Sequence, residues 1–92
     1  MDVTVKLFAD LQKALGQELV LSVPEGGTVR DLLRILGERY AAFSPEDLKN
    51  DGILRPDINI LQNGRNIKYL NDLDTRVTKG DIIAIFPPVA GG

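Results

Sequence analysis

Residues 28–41, Thr28-Val29-Arg30-Asp31-Leu32-Leu33-Arg34-Ile35-Leu36-Gly37-Glu38-Arg39-Tyr40-Ala41, carry the main helical pattern of the chain. Val29, Leu32, Leu33, Leu36 and Tyr40 recur at three- and four-residue spacing, which places them on one face of a helix. Thr28 stands where an N-cap is needed and Asp31 follows three residues later, a variant of the capping box. The spacing predicts an amphipathic helix over about 28–41. Its apolar stripe needs a sheet to cover.

The sheet is read outward from that helix. Asp2 to Phe8 alternates, with Val3, Val5 and Leu7 on one side and Asp2, Thr4, Lys6 and Phe8 on the other, as in a strand with one buried face. Ala9 to Leu15 suits a short helix, with Leu11 and Leu15 four apart and Gly16 as its stop. Glu18 to Val23 is rich in strand-favouring residues, and so short a link favours antiparallel pairing with the first strand. Pro24-Glu25-Gly26-Gly27 is a turn into the main helix. Residues 42 to 57 read as irregular. Within them Ser44-Pro45-Glu46-Asp47 suits a short helical start, Asp51-Gly52 a turn, and Arg55-Pro56 a break. Asp57 to Gln62 reads as a third strand, Asn63-Gly64 as a hairpin turn and Arg65 to Tyr69 as the return. Residues 70 to 74 form a loop or short turn, Lys79-Gly80 another turn, and Asp81 to Phe86 the last strand. Strands in hairpins around one crossover helix make a two-layer α+β domain. The expectation is a ubiquitin-like β-grasp roll, a mixed sheet packed on one main helix, occupying residues 1–92 as a single domain.

Composition excludes much chemistry. The 92 residues contain neither cysteine nor histidine, which removes thiolate nucleophiles, disulfides, Cys/His zinc sites and the commonest general base. Eleven basic and 13 acidic side chains leave a net charge of −2, with no basic excess to neutralise phosphates, so nucleic acid is not an expected partner. No run of about 18 apolar residues and no signal peptide is present, so no membrane association and a cytoplasmic location are expected. Any chemistry falls to carboxylates, hydroxyls, amines or the chain ends.

The C-terminal segment is the informative one. In the last strand Ile83 and Ile85 alternate with Ile82, Ala84 and Phe86. Pro87-Pro88 then ends the strand, because proline cannot donate to a ladder and two prolines favour an extended path without internal hydrogen bonds. Residues 87–92 are therefore expected to project as a tail. Val89, Ala90, Gly91 and Gly92 shrink step by step. A tail lacking β-carbons at its last two positions fits a narrow channel and offers an unhindered carboxylate. Adenylation converts such a carboxylate into an acyl–AMP open to a sulfur nucleophile. The chain has no G-x-x-x-x-G-K-[ST] loop, so a partner enzyme must bind the ATP. The bland alternative is a frayed glycine end, and Gly26-Gly27 needs only a turn. At the terminus, the strand, the double proline and the size gradient occur together.

Phe86-Pro87-Pro88-Val89-Ala90-Gly91-Gly92 resembles the C-terminal signature of the MoaD family, the small subunit of molybdopterin synthase. Phe8-Ala9-Asp10-Leu11 and Lys79-Gly80-Asp81 are similar to that family too, and the element order agrees over the whole chain. The segment between the main helix and the third strand is longer than in the shortest members. The resemblance implies a non-catalytic small subunit, acting as a sulfur-donating co-substrate and binding no cofactor itself. An E1-like adenylyltransferase (MoeB-like) would activate the Gly92 carboxylate with ATP and Mg. A sulfur donor protein would then yield the thiocarboxylate. The tail would enter the large synthase subunit (MoaE-like), where the sulfur builds a pterin dithiolene. In that scheme Gly92 carries the sulfur and Gly91 keeps the tail narrow at the channel mouth. Val89 and Ala90 line its path, Pro87 and Pro88 aim it, and Phe86 and Phe8 contact the large subunit. The alternation independently puts Phe8 on the face not covered by the helix, where an aromatic can anchor a partner. The other reading of both aromatics is that they close the end of the core. Sulfur supply for thiamine thiazole or tRNA thiolation, or conjugation to protein lysines through Gly92, uses the same activation.

Other features have plain readings. Asp72 and Asp74 are taken as solvated loop acids with no metal, and Lys6, Lys13, Lys49, Lys68 and Lys79 as solvated surface.

Overall fold

The computed structural model describes residues 1–88. In chain order, β1 is Asp2–Leu7, α1 Ala9–Leu15, β2 Glu18–Ser22, α2 Val29–Arg39, β3 Lys49–Asn50, β4 Ile53–Leu54, β5 Asn59–Gln62, β6 Arg65–Asn66 and β7 Ile82–Phe86. Five strands form one mixed sheet in the order β2-β1-β7-β5-β6. β1 and β7 run parallel at its centre, and the remaining neighbours pair antiparallel. This is the β-grasp, ubiquitin-like architecture expected.

α2 crosses one face of the sheet. Its start is fixed by the capping box: the Thr28 hydroxyl accepts from the Asp31 backbone N–H at 3.3 Å, and Asp31 Oδ2 accepts from the Thr28 N–H at 3.0 Å. Two helix-end donors are thereby satisfied, a feature worth about 1 kcal/mol. The helix stops at Arg39, two residues before the expected end, because Tyr40 takes an extended conformation while its N–H still bonds Leu36 O. Val29, Leu32, Leu33 and Leu36 are fully buried against Val3, Val5, Leu7, Leu21, Ile60, Ile83 and Ile85. Each such side chain gains roughly 1.5–3 kcal/mol by leaving water. Leu11 and Leu15 of α1 pack half-buried against this core.

Three expectations need correction. The returning strand is not Arg65 to Tyr69: β6 ends after Asn66, whose side chain accepts from the Lys68 N–H at 3.0 Å and closes Ile67–Tyr69 into a 3-10 turn. The third strand starts at Asn59 rather than Asp57, because Ile58 N–H turns back to Arg55 O. Residues 42 to 57 are not irregular throughout. Pro45–Leu48 is a 3-10 turn, entered without the Ser44 side chain as a cap. β3 and β4 then pair across Asp51-Gly52, both at positive φ, as a two-residue hairpin turn requires. This insertion supplies Phe43, Leu48 and Leu54 to the core. It lies so close to α2 that a β-carbon on Gly37 would meet the Pro45 ring at 2.7 Å, which accounts for a glycine inside the helix.

Candidate functional site

The site is the end of β7 and what holds it. The strand alternates as its residues dictate: Ile83 and Ile85 are fully buried, while Ile82, Ala84 and Phe86 face away from α2. Phe86 is the last strand residue, and Pro87 and Pro88 follow outside the ladder.

Phe8 lies beside it. β1 and β7 are in register through Leu7 opposite Ile85. Phe8 and Phe86 come next, and their rings stack with centroids 4.1 Å apart and planes 11° from parallel. Both are half-buried. They therefore join as one aromatic pair on the open side of the sheet, at the root of the tail. Next to Phe8 a shallow groove of about 310 Å³ is lined by Lys6, Leu7, Phe8, Gln12, Gln17 and Glu18.

The start of β7 is held by a cluster that single-residue reading does not reveal. Asp81 is 6% exposed and accepts four hydrogen bonds. Oδ1 takes Asn63 Nδ2 at 2.9 Å and the Thr78 hydroxyl at 2.9 Å, and Oδ2 takes Gln62 Nε2 and the Thr78 N–H, each at 2.8 Å. Asn63 also exchanges bonds with Ile82, its N–H to Ile82 O and its Oδ1 from Ile82 N–H, both at 2.9 Å. Burial alone pushes the Asp81 carboxyl up. The hydrogen bonds from Asn63, Thr78 and Gln62 favour the carboxylate and win, so its pKa lies below the ordinary value. The only hint in the sequence is the Asn63-Gly64 turn paired with an aspartate after Gly80. Asp81 ties that turn to the Thr78–Asp81 turn and fixes where β7 begins.

Of the residues singled out from sequence, Phe8, Phe86, Pro87 and Pro88 come together. Val89, Ala90, Gly91 and Gly92 lie outside the described residues. One lysine read as solvated is not: the Lys49 side chain is 11% exposed and sits 3.7 Å from Glu46; Lys68 stays at the surface, where it donates to Pro56 O at 2.8 Å. Among the described residues no group of three or more acidic, histidine or cysteine side chains gathers in a way that could hold a metal ion. No described helix is long and apolar enough to cross a membrane.

Known proteins resemble this chain in sequence and in fold. The family model described as the ThiS family matches residues 5–92. Small archaeal modifier protein 3 of Haloferax volcanii is 36% identical over 93 residues, covering 100% of both chains. Sulfur carrier protein CysO of Mycobacterium tuberculosis is 30% identical over 94 residues, again covering 100% of each. The crystal structure of SAMP1 from Haloferax volcanii superposes with a TM-score of 0.83 at 34% identity, with both chains fully covered.

Proposed function

We infer, because this chain belongs to the ThiS family of ubiquitin-like sulfur carriers, that its working group is the carboxylate of Gly92. The single observation behind this reading is a strand locked at both ends, by Asp81 and by the Phe8–Phe86 stack, that hands its chain to Pro87-Pro88 and two terminal glycines. An E1-like adenylyltransferase brings Mg-ATP. The Gly92 carboxylate attacks the α-phosphorus and expels pyrophosphate. Sulfur at the sulfide level then attacks the acyl carbon and expels AMP, leaving a thiocarboxylate. The carrier supplies the acyl group, and its partners supply the catalysis.

The acceptor is a separate question. The Phe-Pro-Pro-Val-Ala-Gly-Gly ending supports delivery into a large synthase subunit, where the sulfur enters the molybdopterin dithiolene. A second reading has its own support: a 36% identical relative is named a modifier protein. In that reading a lysine amine attacks the activated carbonyl and forms an isopeptide bond. Mass spectrometry of proteins co-purified under denaturing conditions with this chain, expressed in its own cells, separates the two. For sulfur delivery, lysines of other proteins are expected to carry no remnant of residues 80–92, the piece trypsin leaves after Lys79, and the thiocarboxylated chain converts a pterin precursor when mixed with the large subunit. Abundant lysine remnants without pterin conversion favour the modifier reading and count against the dithiolene.

A further inference from the structure

β1 and β7 diverge immediately beyond the aromatic stack. Ala9 has φ 53°, in the left-handed region that costs a residue with a β-carbon roughly 1–2 kcal/mol. The other non-glycine residues at positive φ among the described ones are Asp51, Asn63 and Asp72, types whose short polar side chains ease that conformation. Alanine has no such help, and here it opens a helix instead of sitting in a turn. Gln12 closes the corner, its Nε2 donating to Leu7 O at 3.2 Å and its backbone N–H to Phe8 O at 3.3 Å. On the other flank Asn59, opposite Phe86, is the first residue of β5. Both neighbours of β7 therefore stop at the level of Phe86, and the next residue is a proline without an N–H. A strained residue kept at such a point suggests that the corner has a use.

We propose that Phe8, held by the left-handed turn at Ala9, is a positioning residue: its ring fixes Phe86 and so sets the direction in which Pro87 and Pro88 leave the sheet. The inference rests on the carrier reading, and it assigns Phe8 a role within the free chain, before any partner binds. Peeling β1 away at Ala9 leaves Pro87 and Pro88 without a strand neighbour on that side, while the stack holds Phe86 in place. A chain that leaves the sheet in one direction at Pro87 and Pro88 enters the activating site with less orientational loss.

The test compares Phe8→Leu, which keeps an apolar side chain but removes the ring, with Phe8→Tyr, which keeps the ring. Phe8→Met replaces the leucine variant if that chain does not fold. In the free protein, Cα–Hα residual dipolar couplings of Pro87 and Pro88 are expected to shrink about twofold in Phe8→Leu, because the segment samples more directions. They are expected to stay near wild type in Phe8→Tyr. With the activating enzyme, kcat for Gly92 adenylation falls about tenfold in Phe8→Leu at nearly constant KM, and Phe8→Tyr restores it. Unchanged couplings in Phe8→Leu overturn the proposal. So does a rise in KM alone, which marks Phe8 as a partner contact. A wild-type chain that is never adenylated overturns the carrier reading instead, and the couplings still decide the role of Phe8.

Discussion

Deleting Gly92 is expected to abolish sulfur loading while leaving the fold intact. The loss in thiocarboxylate formation should be complete at the detection limit, because the reacting carbon is then that of Gly91, one residue short of its place in the activating site. Thermal and urea unfolding should change by no more than about 0.5 kcal/mol, the usual range for a substitution away from packed features. The expectation follows from the described residues, among which the buried apolar side chains run from Val3 to Ile85 and the last strand ends at Phe86. Activity and stability are thus predicted to separate at this position. Unfolding that shifts by several kcal/mol would mean the terminal residues are structural, and loading that survives would place the chemistry elsewhere.

Asp81→Ala is expected to do the opposite. It removes an acceptor from Asn63, Gln62 and both donors of Thr78, at a cost of about 2–4 kcal/mol, since hydrogen bonds to a charged group are worth more than neutral ones and only Gln62 Nε2 keeps a second acceptor, Arg76 O. Urea melts of the two proteins measure it. The effect carries a pH signature. The folded carboxyl titrates below the ordinary value of 3.8, so near that pH the unfolded chain binds more protons than the folded one, and stability rises with pH. The contribution of the carboxylate is fully present above the unfolded value and is lost as pH falls through the folded one. The gap between wild type and Asp81→Ala should therefore stay constant above about pH 5 and narrow steadily below 3.8. A gap that does not narrow in acid would mean that the ionised carboxyl is not what holds β7.

Local patterns read well from the residues, and contacts between distant segments did not. α2 was legible because its cap and its stripe are encoded within a few residues of one another. α1 was legible from Ala9 to Leu15 because Gly16 ends it. The alternation of β7 separated Ile83 and Ile85 from Ile82, Ala84 and Phe86, the division that burial follows. The parallel pairing of β1 with β7 joins the two ends of the chain, and no local period reports it. β3 and β4 are two residues each, too short for alternation to be recognised. β6 looked longer because Ile67 and Tyr69 suit a strand, but the Asn66 side chain competes for the backbone and turns it. Lys49 looked solvated because its type usually is, and the fold of the 42–57 segment covers it.

The candidate site divides in the same way. The tail expectation rests on consecutive residues, of which Val89, Ala90, Gly91 and Gly92 lie outside the described residues. Alternation placed Phe8 on the open face, but its stacking on Phe86 depends on the parallel register of two strands far apart in sequence. The Asp81 cluster was legible only as two separate turns. Gln62, Asn63, Thr78 and Asp81 belong to two turns that meet only in the folded chain, and each residue alone suits a turn.

The most direct measurement is the intact mass of the chain after incubation with its activating enzyme, Mg-ATP and a sulfur donor. Exchange of one carboxylate oxygen for sulfur predicts a gain of about 16 Da, confined to the C-terminal fragment and absent without ATP, as expected for a group that must first be activated as an acyl–AMP. An unchanged mass with an enzyme competent toward a related carrier, or a gain that maps to any residue other than Gly92, would contradict the assignment.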